Sequence, residues 1–297
     1  MTTPTLRQLE YVVALADHAH FGRAAEAVHV SQPALSAQVR ELEDRLGVVL
    51  FERDRRTTRP TDVGADVVER ARTILRDVDD LVAATTAQDG VIRGRLRLGS
   101  IPTMAPYLLP AITGAIRRDW PEVTLELSEA RTAALVESIQ EGATDVGLLA
   151  TPHDTGGLEV AELGDEEFVL TLPEHHELAG AGAVPIDVLA DLPVLLLEEG
   201  HCLREHAMSV CSLAGAADHA EVRSASLATL SQMVAAGVGV TLLPASALPV
   251  EARDGSGLVT RPFEAPAPRR GIALVWRRSD PRSPHYEQLA ASLRRVV

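Results

Sequence analysis

The chain has 297 residues, 46% of them apolar and 24% charged, a balance ordinary for a water-soluble globular protein and long enough for two or three domains. Its net charge of −14 argues against a nucleic-acid binder that works through overall charge, and it has no apolar run long enough to span a membrane. The N-terminus lacks a basic segment followed by an apolar one, so no secretion signal is expected and the predicted location is cytoplasmic.

The charge is unevenly distributed. All 28 basic residues are arginine, and residues 1–60 carry eight Arg against eight Asp and Glu. The acidic excess therefore lies beyond residue 60, while Arg53–Arg59 forms a local basic patch. Residues 5–46 read as three short helices. Leu6, Leu9, Val12, Val13 and Ala16 share a face of the first, and Phe21, Ala24, Ala25 and Val28 a face of the second. Ser31 is a good N-cap for the third, with Pro33 in its first turn, where a missing N–H costs little. That helix is expected to bury Leu35, Val39, Leu42 and Leu46 and to present Gln32, Ser36, Gln38 and Arg40. Two helices joined by a tight turn, the second capped and polar on its free face, suit a helix-turn-helix, although a three-helix bundle with a solvated face gives the same pattern. Val48–Phe51 and Arg59–Thr61 flank the tip FERDRRTTRP as a hairpin wing.

The phrase FGRAAEAVHVSQPALSAQVRELEDRLGVVLFER goes beyond pattern. From Leu6 to Thr61 the chain closely resembles the winged helix-turn-helix of LysR-type transcriptional regulators. The resemblance implies that Ser31, Gln32, Pro33, Ala34, Ser36, Gln38 and Arg40 lie at or near double-stranded promoter DNA. It also makes Arg53 and Arg59 wing residues beside phosphate or the minor groove. Thr61 then caps a long helix to about Ala87, in which Val67, Ala71, Ile74, Val78 and Leu81 form a heptad seam. A seam with no core partner in its own chain suggests a dimer. LysR-type proteins have such a linker helix and pair through it, which implies a homo-oligomer, a dimer of dimers. Gln88–Gly94 is the expected break.

From Arg95 strands and helices alternate. RLRLGSI, VTLELSEA, DVGLLA, EFVLTLP, PVLLLEE, GVTLLP and GIALVW read as strands. Met104–Asp119, Thr132–Glu141, Leu203–Ala214, Leu227–Ala236 and Tyr286–Arg295 read as helices. This order implies a mostly parallel α/β sheet in two lobes, with ligands beyond the carboxyl ends of the strands. Ser100, Thr103 and Thr132 fall there, either facing the crevice or simply capping helices. The expected whole is α+β: a winged helix-turn-helix domain over residues 1–61, a linker helix over 62–90 and a two-lobed α/β, periplasmic-binding-protein-like regulatory domain over 91–297.

Within that domain the stretch GHCLREHAMSVC holds the chain's two cysteines, Cys202 and Cys211. Leu203, Ala207, Val210, Cys211 and Ala214 fall on one helical face. Nine residues of helix separate two Cα atoms by about 13.5 Å. A disulfide needs them within about 7 Å, so this stretch cannot be helical and disulfide-bonded at once. Three readings fit the residues: inert core cysteines, a metal site from His201, Cys202, His206 and Cys211, or a redox pair. A thiol at a helix start, beside Arg204 and flanked by histidines, is expected to ionise easily.

SIPTMAPYLLP, GHCLREHAMSVC, SLATLSQMVAAGVGVTLLP and PRRGIALVWR together resemble the hydrogen-peroxide-sensing OxyR branch of the LysR-type family, over essentially the whole chain. The resemblance implies that Cys202 reacts with hydrogen peroxide, that Cys211 resolves the product, and that Thr103, Thr132, His201 and Arg270 line the pocket, Arg269 being adjacent in sequence. It further implies RNA polymerase and a thiol-disulfide reductant as partners, with no cofactor, no metal and no membrane. The family often has Asp then Gln where Glu205 and His206 stand, which alters the charge near the thiol. No P-loop, GxSxG or HExxH motif competes, and a DNA-binding regulator rather than an enzyme is expected. The alternatives are a LysR-type regulator of a small organic ligand and a thiol peroxidase.

Overall fold

The computed structural model describes residues 3–53, 58–86, 92–214, 223–224 and 226–297, without the side chains at 53, 79–80, 82–86 and 223. The chain divides into two compact units, Met1–Thr85 and Thr86–Val297.

In the first unit, α1 (Leu6–His18), α2 (Phe21–Ala27) and α3 (Gln32–Leu46) precede a hairpin of β1 (Phe51–Arg53) and β2 (Thr58–Pro60), then the long α4 (Asp62–Thr86). Local chemistry sets each start. The Thr5 hydroxyl accepts from the Gln8 amide while the Gln8 side chain accepts from the Thr5 amide, a reciprocal cap. Ser31 accepts from the Ala34 amide, with Pro33 in the first turn. Thr61 accepts from the Gly64 amide at 2.9 Å. Val12, Leu15, Ala24, Leu35, Val39 and Leu42 make one core with Leu50 and Phe51. The hairpin is fastened to that core from both sides. Glu43 accepts from the Leu50 and Phe51 amides, and the Thr58 amide donates to Ala19 O. A Cβ on Gly64 would meet Leu50 O at 1.9 Å, so the close approach of α4 to the hairpin requires glycine. Leu6 and Leu46, expected inside, are 43% and 40% exposed: they sit at helix ends that the short bundle cannot cover. Ile74 and Leu81 on the α4 seam are exposed, whereas Ala71 is buried. The hairpin tip at 54–57, Ala87 and residues 88–91 of the expected break at Gln88–Gly94 lie outside the described residues.

The second unit has two cores. Around the first run β3 (Gly94–Ser100), α5 (Ala105–Asp119), β4 (Val123–Glu129), α6 (Thr132–Gln140) and β5 (Val146–Thr151). β6 (Glu159–Pro173) then leads into the second core. There follow β7 (Leu196–Leu197), α7 (Cys202–Leu213), β8 (Arg223–Ser224), α8 (Leu227–Ala235), β9 (Thr241–Pro244), α9 (Leu248–Glu251) and β10 (Leu258–Pro262). β11 (Arg269–Trp276) and α10 (Ser283–Leu293) return to the first core. The two β-α-β crossovers place β4, β3 and β5 parallel, as expected. The sheet as a whole is not mostly parallel, because β6 and β11 return without helical crossovers and pair antiparallel with their neighbours. β6 is the common element. Its first part pairs with β11, and its end pairs with β9 and β10, so one strand carries the chain from lobe to lobe. The expected strand EFVLTLP is only its second half, and PVLLLEE shrinks to Leu196–Leu197.

Candidate functional site

Four segments of the second unit converge where β6 and β11 pass between the lobes. The turn after β3 supplies Thr103, the first residue of α6 is Thr132, α7 begins with Cys202 just after His201, and β11 supplies Arg270. None of these five side chains is more than 4% exposed. Arg270 is the largest fully buried side chain, so its charge must be met from within. Its Nε donates to Glu166 Oε1 at 2.8 Å, Nη1 to Thr103 Oγ1 at 3.2 Å and Nη2 to Thr103 O at 3.1 Å. Because Thr103 Oγ1 accepts from Arg270, its own O–H is left to donate. The guanidinium also lies 5.9 Å from the Phe168 ring.

Strand alternation explains how adjacent arginines differ. Arg270 is cross-strand from Glu166 and faces inward with it. Arg269 is half exposed on the other face, where it pairs with Asp165 at 2.8 Å and more loosely with Glu167. The run Asp165-Glu166-Glu167 is thus two solvated carboxylates around a buried one.

The thiol departs from expectation. Burial pushes Cys202 above its ordinary value; Thr132, Arg270 and the Leu203 amide favour the thiolate, and Glu205 opposes it. Arg204, expected to help, turns away and donates to Leu197 O at 3.2 Å. The easily ionised thiol is therefore corrected: withdrawal from water outweighs the helix start and the nearby cation. The Thr132 hydroxyl and His201 Nε2 are buried with no hydrogen-bond partner of good geometry. Burial, reinforced by Arg131, holds His201 below the usual imidazole range, against Glu198 and Glu129. The site thus offers two buried polar atoms, the Thr132 hydroxyl facing the sulfur and His201 Nε2, with hydrogen-bonding capacity to spare.

A cleft of about 310 Å³ between the lobes is lined by Thr103, Tyr107, Glu129, Arg131, His201 and Glu251, among others. Arg131 crosses it to Glu198 and to Glu199 O at 3.2 Å, and the Tyr107 hydroxyl donates to Glu251 at 2.8 Å. The Arg131 contacts hold the loop before Cys202, in which Gly200 adopts φ +90° with Arg131 packed on it. Cys202 and Cys211 are the first and tenth residues of one continuous helix, and neither is in a disulfide. Cys202 packs in the first core and Cys211 in the second. Among the described residues no three His, Cys, Asp or Glu side chains gather as a metal group. Ser100, also named from sequence, is buried and donates to Ile101 O instead of facing the crevice.

In the first unit, Ser31, Gln32, Pro33, Ala34 and Arg40 are exposed along α3, and Arg59 is exposed on β2. Gln38 is partly drawn in: it accepts from Gln8 at 3.2 Å and donates to Glu41 at 3.0 Å. Ser36 is half-buried. The Arg53 side chain lies outside the described residues. Sequence reasoning missed Glu166 and Arg131. The signal for Glu166 was strand alternation within an acidic run; for Arg131 it was adjacency to Thr132.

Residues 6–65 match the bacterial regulatory helix-turn-helix protein of the lysR family, and residues 89–297 match the LysR substrate binding domain. The DNA-binding transcriptional dual regulator OxyR of Escherichia coli K12 is 45% identical over 97% of this chain and 94% of its own. A hydrogen peroxide-inducible genes activator of Pectobacterium carotovorum is 44% identical over 97% and 95%. Among solved structures, a full-length OxyR variant from Pseudomonas aeruginosa superposes with a TM-score of 0.76 at 36% identity, covering 99% of both chains. A hydrogen-peroxide-bound OxyR mutant from Corynebacterium glutamicum gives 0.70 at 34%, covering 99% of this chain and 93% of that one. By its two matched domains and its near full-length identity to these relatives, the chain belongs to the OxyR branch of the LysR family.

Proposed function

We propose that this protein is a DNA-binding transcription regulator that responds to hydrogen peroxide through Cys202 and Cys211. The observation that carries the reading is the placement of the two thiols on one unbroken helix but in two different cores. Peroxide enters beside Thr103, Thr132 and His201. The Cys202 thiolate attacks one peroxide oxygen, an S–O bond forms, the O–O bond breaks, and hydroxide leaves to become water. The Thr103 hydroxyl and Arg270 position peroxide and stabilise the departing hydroxide. The Cys211 thiol then condenses with the sulfenic acid, forming the disulfide and releasing a second water. That bond requires α7 to unravel, since nine helical residues hold the Cα atoms about 13.5 Å apart. Oxidation is stoichiometric signalling, reset by a thiol-disulfide reductant.

On DNA, α3 presents Ser31, Gln32, Pro33, Ala34, Ser36, Gln38 and Arg40 to base edges, and Arg53 and Arg59 contact phosphate. Residues 1–61 bind, residues 62–90 pair through the seam at Ile74 and Leu81, and residues 91–297 sense. Dimers pair again into tetramers, and re-packing of subunits on oxidation changes contact with promoter and RNA polymerase. No described helix is long and apolar enough to cross a membrane. The interlobe cleft favours one rival, a small organic effector with incidental cysteines.

Peroxide-dependent footprinting of the unsubstituted chain beside Cys202→Ser and Cys211→Ser decides. Cys202→Ser should ignore peroxide. Cys211→Ser should stop at a trappable sulfenic acid without a disulfide. A footprint that still shifts with peroxide in Cys202→Ser would overturn the reading.

A further inference from the structure

The buried ion pair at the lobe crossing points beyond the pocket residues. Glu166 is 7% exposed on the strand shared by both lobes. Its Oε1 accepts from Arg270 Nε at 2.8 Å and lies the same distance from Nη2. Its Oε2 accepts from the Ser246 backbone N–H at 2.8 Å, in the turn after β9 of the second lobe. Arg270 in turn holds Thr103 through both the hydroxyl and the carbonyl. An unbroken series of bonds therefore runs from the second lobe, through Glu166 and Arg270, to the Thr103 hydroxyl in the pocket.

Each link has a physical requirement. A buried guanidinium free to rotate would lose its aim, and the contacts of two of its nitrogens with one carboxylate oxygen fix its plane. The Ser246 amide fixes the carboxylate in turn. Thr132, Arg270, Glu205 and the Leu203 amide act on the Cys202 sulfur, and Glu166 is bonded to one of them, Arg270. Its influence on the thiol passes through Arg270.

We infer that Glu166 is a positioning residue for oxidation of Cys202: it aims Arg270 and, through Arg270, the Thr103 hydroxyl at the oxygen that leaves as hydroxide. The inference rests on Cys202 being the peroxide-reactive thiol. It separates two things a buried thiol needs. Ionisation depends on the charge of Arg270, which survives loss of Glu166. Departure of hydroxide depends on where the donors point, which does not survive it.

Two reagents distinguish these. Peroxide oxidation needs a thiolate and an aimed donor for the departing oxygen, whereas iodoacetamide needs only an accessible thiolate. The test is run in full-length Cys211→Ser protein, so that sulfenic acid is the end point, from pH 6 to pH 9. Glu166→Gln is isosteric and keeps one acceptor for Arg270. It should slow oxidation by peroxide tenfold or more across that range, while alkylation stays within twofold or quickens. Glu166→Asp keeps the charge but not the reach and should fall between. In an Arg270→Met background, Glu166→Gln should slow oxidation no further, because its route of action is gone.

Unchanged oxidation in Glu166→Gln overturns the inference, as does an equal fall in both reagents, which would mean altered ionisation or access alone. A further slowing in the Arg270→Met background overturns it too. If peroxide fails to oxidise Cys202 in the parent Cys211→Ser protein, the peroxide reading and this inference fall together. If the parent reacts and Glu166→Gln matches it, only this inference falls. Circular dichroism confirms that each variant is folded, and Glu166→Gln decides even where a smaller side chain does not fold.

Discussion

Two surfaces of the molecule meet their proposed partners in opposite ways. Along α3 and β2, Gln32, Pro33, Arg40 and Arg59 stand in water. At the crossing of β6 and β11, Thr103, Thr132, His201, Cys202 and Arg270 are almost wholly withdrawn from it. A large polyanion is read by accessible groups and released counterions, so exposure is the working condition there. A small, uncharged oxidant offers little to hold, so the second site removes water and aims a few donors. The same residue type serves both ends: Arg59 is exposed, whereas Arg270 is fixed on three sides.

The sharpest way to break the contrast is to remove an arginine from each side. Arg270→Ala leaves the Glu166 carboxylate buried and unpaired and should destabilise the second unit by about 3–5 kcal/mol, read by urea unfolding. A loss under about 1 kcal/mol would mean that water reaches the site and that its burial is not functional. On the exposed side, Arg40→Ala should leave folding unchanged but lose about 1–3 kcal/mol of discrimination between promoter and mismatched DNA. Equal weakening on both DNAs would turn Arg40 into a phosphate contact.

A gentler test uses pH. Burial holds His201 and His206 below the usual imidazole range in the folded chain. The stability they contribute is complete above about pH 6.5, their unfolded value, and is lost as pH falls through the folded values. The urea midpoint of the second unit should therefore drop between pH 7.5 and pH 5.5, and His206→Gln should flatten the drop. An identical midpoint at both pH values would show that water already reaches these rings. The smallest expected effect is at the wing: Arg59→Ala should lower the salt dependence of DNA binding by about one unit of slope. No change in slope would remove Arg59 from the phosphate contacts.

The exposed surface was legible in the sequence because local chemistry writes it. Caps at Ser31 and Thr61 and the spacing of Leu35, Val39 and Leu42 depend on residues within a turn or two. The pocket was legible only in part. Thr103 and Thr132 were marked by their place after strands and His201 and Cys202 by the cysteine stretch, but Arg270 and the grouping of the five came from resemblance, and all five are buried. Glu166 was not found, because in a row of three acids nothing local says which one is buried; that is decided by the pairing of β6 with β11 across more than a hundred residues. The first half of β6 was missed for the same reason, its charged residues being matched by arginines on and just after β11. The ionisation of Cys202 was misjudged because helix start and neighbouring Arg204 are visible in sequence, whereas the depth of burial is not.

The division of the two cysteines between two cores bears on how long a signal lasts. On the proposed cycle, the disulfide draws at least one thiol out of its packing and melts the helix between them. The oxidised form then sits higher in energy than an unstrained disulfide, and every 1 kcal/mol of that difference raises its reduction potential by about 20 mV. A bond formed against the packing of both lobes is one that cellular thiols remove readily. The alarm is thereby built to lapse once peroxide is gone, with its duration set by the strength of the packing around Cys202 and Cys211.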